Sequence, residues 1–415
     1  MALNAPWRLE GVRLATMCPG CGDGPLGVVE DGAVVVGADG RLVAVGARGA
    51  LRSHPVAEVW DGRGGWLLPG FVDAHTHLVY AGDRSDEHAT RWAGGSYEAI
   101  ARAGGGIAST VRATAAASDA DLLRMAVRRA RALRDDGVTT VEVKSGYGLS
   151  TAAELRLLRV IARVGPRAGV RVVPTLLAAH AVPAGFTAST WVDEVITQLL
   201  PQVWAAGLAR RVDAFCASIA FDVDAVDRLL GAAAGWGYDL TLHADQLANE
   251  QASALLARWG GRSADHVEHL DAAGVAALAE AGAVAVLLPG AAETLREPVA
   301  PPVAALRAAG VGMAVATDHN PGTSPFLSMR WMLHLACTRW GLTPEEALLG
   351  ATRWGAVALG VDAGRLVAGA PADLALWATP HPRALVVAPD APDLVGTWVG
   401  GAPRWHGAPR PRRIG

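Results

Sequence analysis

The sequence predicts an α/β protein: a (β/α)8 TIM-like barrel joined to a small composite β-sandwich domain built from the N- and C-terminal segments. Two observations predict it. Through the middle of the chain, short apolar runs alternate with helical stretches rich in Ala, Leu and Arg, which is typical of a parallel sheet covered by helices. Toward both ends, β-like runs are broken by glycine and aspartate. We therefore expect 1–66 and 363–415 to form the β domain and 67–362 to form the barrel.

The β domain is predicted from runs of strand-forming residues with turn residues between them. In the first segment these runs are 27–29, 33–36 and 42–45, and in the last they are 372–377, 384–387 and 396–399. Such runs indicate a meander of antiparallel strands. Because the same pattern stands at both ends of the chain, the two segments are expected to join in one domain.

The barrel is predicted from a count of its strands. They lie at 67–72, 138–143, 171–177, 212–216, 240–242, 263–265, 284–288 and 313–316, and the helices between them include 121–133, 152–164, 225–233 and 343–349. Eight strands are the number that closes a barrel of this kind. In such barrels the reacting groups lie at the carboxyl ends of the strands.

Composition and charge narrow the function classes. Hydrophobic residues make up 51% of the chain and charged residues 19%, which supplies a large core and argues against disorder. The net charge is -3 with no basic stripe, so no nucleic-acid partner is expected. The longest apolar stretch, 281–292, is too short for a membrane span, and 1–11 lacks the features of a secretory signal. We expect a cytoplasmic protein with a small-molecule substrate, and a homodimer by analogy only.

The chain contains four cysteines, Cys18, Cys21, Cys216 and Cys337, too few for a disulfide scaffold at this length. Cys216 and Cys337 stand in apolar surroundings that are typical of buried thiols. Cys18 and Cys21 form a lone C-x-x-C pair without the second pair that completes a zinc site. A structural or incidental role is expected for this pair, with metal or redox chemistry as the alternative.

Polar side chains with metal-binding or acid–base chemistry follow most of the predicted strands. In chain order they are His75, His77, Lys144, Tyr147, His180, His243, His266 and Asp318. Because the carboxyl ends of the strands meet at one mouth of the barrel, we expect these residues to line one site. For any single histidine, a core or surface-loop position is the alternative interpretation, but the whole set favours a site.

Four of these residues predict a metal site. His75 and His77 form an H-x-H triplet at a strand end, where residues two apart point to the same side. His243 and Asp318 add a third nitrogen and a carboxylate oxygen. This set suits one divalent or trivalent metal ion per subunit, Zn or Fe, with room for a water. Asp318 is the candidate for both ligand and proton shuttle.

The run Leu-Pro-Gly-Phe-Val-Asp-Ala-His-Thr-His at 68–77 resembles the opening strand of the amidohydrolase superfamily. Segments 144–149, 243–247, 263–266, 285–290 and 316–325 resemble the imidazolonepropionase family, and the similarity runs over nearly the whole chain. The resemblance implies hydrolysis of 4-imidazolone-5-propanoate to N-formimidoyl-L-glutamate in histidine degradation. It also implies that zinc or iron is held by His75, His77, His243 and Asp318.

The resemblance further implies substrate contacts. Arg84, Tyr147, His180, Gln246 and Thr323 match residues that hold the substrate, Asn320 and Gly322 match product contacts, and His266 matches a histidine beside the metal water. A propanoate tail needs a cation with paired donors, which Arg84 supplies, although an arginine in a polar run is usually only solvated. His180 is expected either to orient a ring carbonyl or to be a core histidine.

One position separates two reaction types. Many aromatic deaminases of the superfamily need a glutamate shortly after the strand-five histidine, and some imidazolonepropionases also carry a carboxylate there, but here the residue is Gln246. Glutamine hydrogen-bonds a substrate amide but donates no proton by ionisation, so deamination is disfavoured and proton transfer falls to Asp318, His266 or water. Asp245 is an open alternative, because it shares the face of His243 if the strand continues. The predicted catalytic residues are therefore Asp318, His266, Gln246 and His180.

Two further features concern the metal count and one lysine. Two-metal relatives use a modified lysine at the end of the fourth strand, whereas residues 215–218 here contain none, so one metal is favoured. Lys144 is the single lysine of the sequence, and we consider a compact ammonium near the ligand and chance as equal interpretations. The alternative functions are a cyclic amidase or deaminase on the same scaffold, and a non-catalytic barrel.

Overall fold

The computed structural model describes residues 5–94, 105–406 and 411–414. Its strands, in chain order, are β1 Trp7–Ala15, β2 Val28–Val36, β3 Leu42–Ala47, β4 Glu58–Asp61, β5 Trp66–Pro69, β6 Phe71–Asp73, β7 Val138–Lys144, β8 Arg171–Ala179, β9 Arg211–Ala214, β10 Asp239–Ala244, β11 Ser263–His266, β12 Val284–Leu287, β13 Met313–Val315, β14 Leu374–Ala378, β15 Asp393–Val399, β16 Ala402–Trp405 and β17 Arg412–Ile414. Within the described residues these strands form two sheets.

Most of the helices cover the larger sheet, whereas the first one packs on β2 and β3 of the smaller sheet. The helices are α1 Arg48–Leu51, α2 Ser85–Trp92, α3 Ile107–Ala116, α4 Asp119–Asp135, α5 Thr151–Ile161, α6 Val164–Ala168, α7 Ala188–Glu194, α8 Leu200–Ala205, α9 Val223–Trp236, α10 Ala252–Arg258, α11 Ala272–Ala281, α12 Pro289–Leu295, α13 Val303–Ala308, α14 Met329–Trp340, α15 Pro344–Leu349, α16 Gly355–Leu359 and α17 Ala384–Val387, with single π-helical turns at Val195–Leu199 and Gly350–Trp354. The longest, α4, begins where the Ser118 side chain accepts a hydrogen bond from the backbone of Asp121, a typical helix cap. Its apolar residues recur at helical spacing and are buried.

The larger sheet is the predicted barrel. Eight parallel strands, β6 to β13, lie side by side in chain order, and each of the eight predicted strands overlaps one of them. Beyond the paired strands, β6 and β13 approach each other through a bridge between Thr76 and His319. The backbone N–H of Asp318 donates to the carbonyl of His75 at 2.9 Å. The first and eighth strands therefore meet at the residues that were predicted to bind metal.

The smaller sheet joins the two ends of the chain, as predicted. Its nine strands run in the order β16-β15-β14-β5-β1-β2-β3, with β4 paired to β1 and to β17. The N-terminal and C-terminal parts meet where β5 pairs antiparallel with β14. Trp7, Leu14, Leu67, Leu374 and Trp398 belong to one buried cluster. The two segments thus share a hydrophobic core, which is the reason they form one unit.

Two predicted strands differ from the structure. The run 67–72 is not one strand, because β5 belongs to the smaller sheet and β6 to the barrel, with Gly70 between them. A Cβ atom at Gly70 would lie 2.1 Å from Thr139 Cγ2, so only glycine permits the close approach there. The run 384–387 is the short helix α17, since a four-residue apolar run does not distinguish helix from strand. The division into 1–66, 67–362 and 363–415 stays a prediction.

Three smaller observations complete the fold. Cys18 and Cys21 are joined by a disulfide in the loop after β1. Cys216 is buried and Cys337 is half-buried. In the described parts of the chain, no helix is both long enough and apolar enough to cross a membrane.

Candidate active site

The four predicted metal ligands converge at the mouth of the barrel. His75 and His77 follow β6, His243 lies on β10 and Asp318 follows β13. One ring nitrogen from each histidine lies within 4.8 Å of the others. Asp318 Oδ1 is 3.4 Å from Nε2 of His75 and 3.4 Å from Nε2 of His77. Three nitrogens and one carboxylate oxygen therefore surround one small space, as a single metal ion requires.

The hydrogen bonds of these histidines fix which nitrogen faces that space. His75 Nδ1 lies 2.6 Å from Asp265 Oδ2, and His243 Nδ1 lies 2.9 Å from Asp213 Oδ2, although this second contact is poorly aligned for a hydrogen bond. Protons on both Nδ1 atoms leave lone pairs on the two Nε2 atoms, which are 3.1 Å apart. Two lone pairs at this distance repel unless a cation lies beside them. The donor set thus fits a metal ion.

Burial keeps the ligand histidines neutral. It lowers the pKa of His75 and of His77 well below the ordinary value, and it lowers the pKa of His243 as well. A neutral imidazole is the form that binds a metal. These three rings therefore have their lone pairs free at pH 7.

Backbone strain orients the side chains of Asp318 and of its neighbour in the site, His266. The φ angle is +80° at His266 and +50° at Asp318, a region that residues other than glycine rarely adopt. Behind Asp318, Thr317 donates to Asp73 from its backbone N–H at 3.0 Å and from its hydroxyl at 2.6 Å. Asp73 thereby ties the eighth strand to the first. Strain held by such contacts is common at functional sites.

His266 has a different charge environment from the ligand histidines. Burial opposes its protonation, but the carboxylates of Glu268, Asp318 and Asp265 outweigh that effect and raise its pKa. The nearest of these to Nδ1 is Glu268 Oε1, at 3.7 Å. His266 therefore presents a hydrogen-bond donor more readily than the three ligand rings do.

A cavity of about 460 Å³ opens in front of these residues. Its lining includes every residue that was predicted for substrate or catalysis: Arg84, Tyr147, His180, Gln246, His266, Asp318, Asn320, Gly322 and Thr323. His77 and His243 also reach it, whereas His75 lies beneath and is fully buried. Residues that the sequence did not single out add apolar walls and a second arginine: Arg91, Ile107, Phe215, Ile219, Leu247 and Leu295.

The residue predicted to bind the carboxylate of the substrate is Arg84, and its guanidinium is held by Glu87. Arg84 Nη2 lies 2.5 Å from Glu87 Oε2, and Nη1 donates to Thr110 Oγ1 at 3.4 Å. Beside it, Arg91 Nη1 donates to the carbonyl of Gly322 at 3.2 Å. Two guanidinium groups thus reach the cavity, where the sequence suggested one.

His180 takes the opposite hydrogen-bonding role from the one expected. Its Nδ1 donates to the carbonyl of Gly146 at 3.1 Å, and burial keeps the ring neutral by lowering its pKa well below the ordinary value. The other nitrogen, Nε2, is therefore an acceptor. It suits a substrate N–H and not a ring carbonyl. The rings of His180 and His77 stack with centroids 5.1 Å apart.

Two interpretations made from sequence are wrong. Asp245 is not a substitute for the missing glutamate, because it turns away from the cavity and accepts hydrogen bonds from the backbone of Glu250, Ala252 and Ser253. Lys144 does not line the cavity. It is 1% exposed, and its Nζ lies among the carboxylates of Glu142, Asp213 and Asp265.

Comparison with known proteins identifies the family. Residues 66–404 match the amidohydrolase family. Imidazolonepropionase of Ralstonia nicotianae is 50% identical over 94% of this chain and 97% of its own. Imidazolonepropionase of Acidiphilium cryptum is 48% identical over 97% of each chain. The chain belongs to the imidazolonepropionase family of amidohydrolases. As a member of that family, it is a hydrolase that acts on C–N bonds.

Solved structures of amidohydrolase relatives share the fold. A zinc-bound adenosine deaminase from Xanthomonas campestris has a TM-score of 0.70 at 22% identity and covers 96% of this chain and 92% of its own. A 5-methylcytosine deaminase from Klebsiella pneumoniae has a TM-score of 0.71 at 17% identity, covering 96% and 97%. At such identities the likeness concerns architecture alone.

Gly322 gives this amidohydrolase a testable contact. A Cβ atom there would lie 2.6 Å from Arg84 Nη1, so Gly322→Ala is expected to displace the guanidinium. Overpacking of about 1.4 kcal/mol corresponds to about a tenfold rise in KM, with kcat nearly unchanged. Steady-state kinetics measures both constants. Gly235→Ala is the matched control, because a Cβ atom at Gly235 would meet no other atom within 4 Å. An unchanged KM would contradict the contact.

Proposed function

We propose that this protein opens the ring of 4-imidazolone-5-propanoate by hydrolysis, giving N-formimidoyl-L-glutamate. The observation that supports it most is one cavity that combines four convergent ligand atoms with two arginines. A metal ion held by these ligand atoms would activate water for attack on a carbonyl carbon. The two arginines are suited to bind a carboxylate of the substrate. The imidazolonepropionases at about half identity support the same substrate.

One metal ion, zinc or iron, is proposed on His75, His77, His243 and Asp318. When bound, such a cation polarises the ring carbonyl and lowers the pKa of water toward about 7. Among the described residues one set of convergent histidine nitrogens is found, which favours one ion per chain. The end of β9 offers no lysine for a second one, because Phe215 to Ser218 follow it.

The propanoate tail is proposed to bind Arg84. Glu87 holds Nη2 of its guanidinium at 2.5 Å and so fixes the position from which Arg84 reaches the cavity to receive a substrate carboxylate. Arg91 adds positive charge on the same wall. Tyr147 is buried and lines the cavity. We infer that its hydroxyl donates to the substrate.

The ring of the substrate is oriented by side chains whose roles as hydrogen-bond donor or acceptor follow from their surroundings. His180 Nε2 accepts from a ring N–H, since its Nδ1 is the donor to Gly146. His266 donates to the carbonyl oxygen, where negative charge develops during attack. Gln246 hydrogen-bonds the amide portion with either end of its side chain. Asn320, which donates to the carbonyl of Asp318 at 2.8 Å and to Thr323, holds the adjoining loop.

Asp318 is proposed to move the proton. Its carboxylate accepts a proton from the attacking water and returns it to the ring nitrogen that leaves. The C–N bond between the carbonyl carbon and that nitrogen breaks, and the added oxygen completes a carboxylate. One water is consumed, and no covalent enzyme intermediate is formed.

The predicted homodimer and cytoplasmic location stay predictions.

The test generates the unstable substrate in place. Urocanate and urocanase supply 4-imidazolone-5-propanoate, and mass spectrometry follows the product after the Zn²⁺-loaded protein is added. We expect a species heavier by one water, without release of ammonia. Ammonia release with loss of the ring amine would favour a deaminase instead, and no product from folded, metal-loaded protein would overturn the proposal.

A further inference from the structure

The single lysine of the chain lies inside the barrel, below the histidines. Lys144 Nζ is 2.9 Å from Glu142 Oε1, 2.8 Å from Asp213 Oδ2 and 3.7 Å from Asp265 Oδ2. All four side chains are at most 1% exposed. They come from β7, β9 and β11, which are alternate strands of the barrel. Side chains from alternate strands normally form apolar layers in such barrels, so a charged layer here needs another reason.

Two oxygens of this layer also face metal-binding rings. Asp213 Oδ2, which contacts the lysine, lies 2.9 Å from His243 Nδ1. Asp265 Oδ2 lies 3.7 Å from the lysine and accepts from His75 Nδ1 at 2.6 Å. The ammonium therefore lies within 3.7 Å of both carboxylates that face the two imidazoles.

We propose that Lys144 is a positioning residue of the metal centre, holding Asp213 and Asp265 so that both imidazoles direct Nε2 at the ion. The inference rests on the proposed metal site and extends it to a residue that touches neither metal nor substrate. Carboxylates that receive the second N–H of a ligand histidine set its tautomer and ring orientation. Lys144 places two of them at once.

The geometry also explains why the residue is lysine in a chain whose other basic side chains, apart from histidine, are arginines. An ammonium is compact and directs three donors to separate points. Here Nζ donates to Glu142 Oε1 and forms ion pairs with the carboxylates of Asp213 and Asp265 on two other strands. A guanidinium is planar and wider, and its paired donors suit one carboxylate better than three. Arginine therefore keeps the charge but not the positions.

The proposal predicts a loss of metal affinity in two variants. Lys144→Met and Lys144→Arg are each expected to raise the dissociation constant for Zn²⁺ by about 10- to 100-fold. The constant is measured by competition with a chromogenic chelator on the full chain, without substrate. Arg134→Met is the matched control, because Arg134 is also buried but lies on helix α4 and donates to the carbonyl of Ala168. It is expected to lower thermal stability and leave the Zn²⁺ constant unchanged.

A second measurement does not depend on the variants folding. In metal-free wild type with ¹⁵N-labelled histidine, NMR is expected to show His75 and His243 protonated on Nδ1. Protonation of either ring on Nε2 would overturn the inference, as would a folded Lys144→Met variant with the wild-type Zn²⁺ constant. If wild type binds no Zn²⁺, the proposed metal site fails as well. If it binds Zn²⁺ but does not hydrolyse the substrate, only the proposed function fails.

Discussion

Replacing Asp318 by asparagine is expected to lower kcat by about 1,000-fold, the usual scale for loss of a general acid–base group. Asparagine keeps the size of the side chain and an oxygen near His75 and His77, but it does not accept the proton of the attacking water. Substrate binding is expected to change little, because Arg84 and Tyr147 are intact. Single-turnover kinetics with saturating Zn²⁺ measures the effect, and metal content is determined on the same sample.

Asp245→Asn is the control for that result. It makes the same chemical change at another buried carboxylate near the site, one that only receives hydrogen bonds from its own loop. We expect it to reduce thermal stability while kcat stays within a few-fold of wild type. Equal kcat values for metal-loaded Asp318→Asn and wild type would remove Asp318 from the proton pathway.

Replacing Arg84 by leucine is expected to lower kcat/KM by about 100-fold. A hydrogen-bonded ion pair with a buried carboxylate is worth about 3 kcal/mol, which corresponds to about two orders of magnitude. The loss is expected in KM, because the propanoate tail is remote from the bond that breaks. Arg84→Lys keeps the charge but loses the paired donors, so an intermediate value is expected.

A substrate without the charge separates this role from general damage. The propanoate amide of the same imidazolone lacks the carboxylate that Arg84 is proposed to bind. Wild type and Arg84→Leu are therefore expected to hydrolyse this amide at similar rates. If leucine lowers kcat/KM equally for acid and amide, Arg84 does not select the carboxylate.

The barrel could be predicted from sequence because its strands are buried on both faces. Such strands appear as short apolar runs, and the helices between them have a different period. The junction at Gly70 could not be predicted in this way. The run 67–72 was interpreted as one strand, yet β5 and β6 belong to different sheets. Pairing partners are a tertiary property that no local pattern contains.

The convergence of the four candidate metal ligands could be predicted because chemistry and position coincide in them. Four residues with metal-binding side chains end strands of one barrel, and those ends converge. The support beneath them was missed. Glu142, Asp213 and Asp265 lie within strands, where a single acidic residue looks like a polar interruption. A useful signal is present nonetheless: each lies within a predicted strand of the barrel, and a buried carboxylate requires a partner.

The sequence also did not predict which atoms of His180 and Asp245 donate or accept hydrogen bonds. The expected role of His180 depended on which ring nitrogen carries the proton, and that is decided by the carbonyl of Gly146. Likewise, the sequence pattern alone left Asp245 open as a proton donor, because the direction of its side chain depends on a positive φ of 51°. Both outcomes follow from backbone conformation after a strand ends.

The most direct test of the whole account is a metal titration of activity. Protein stripped by a chelator receives Zn²⁺ in steps while formation of N-formimidoyl-L-glutamate from 4-imidazolone-5-propanoate is measured at each step. We predict no turnover in the stripped protein, a linear rise, and a plateau at one equivalent of metal per chain. Full activity in metal-free protein, or a plateau only at two equivalents, would contradict the single centre formed by His75, His77, His243 and Asp318.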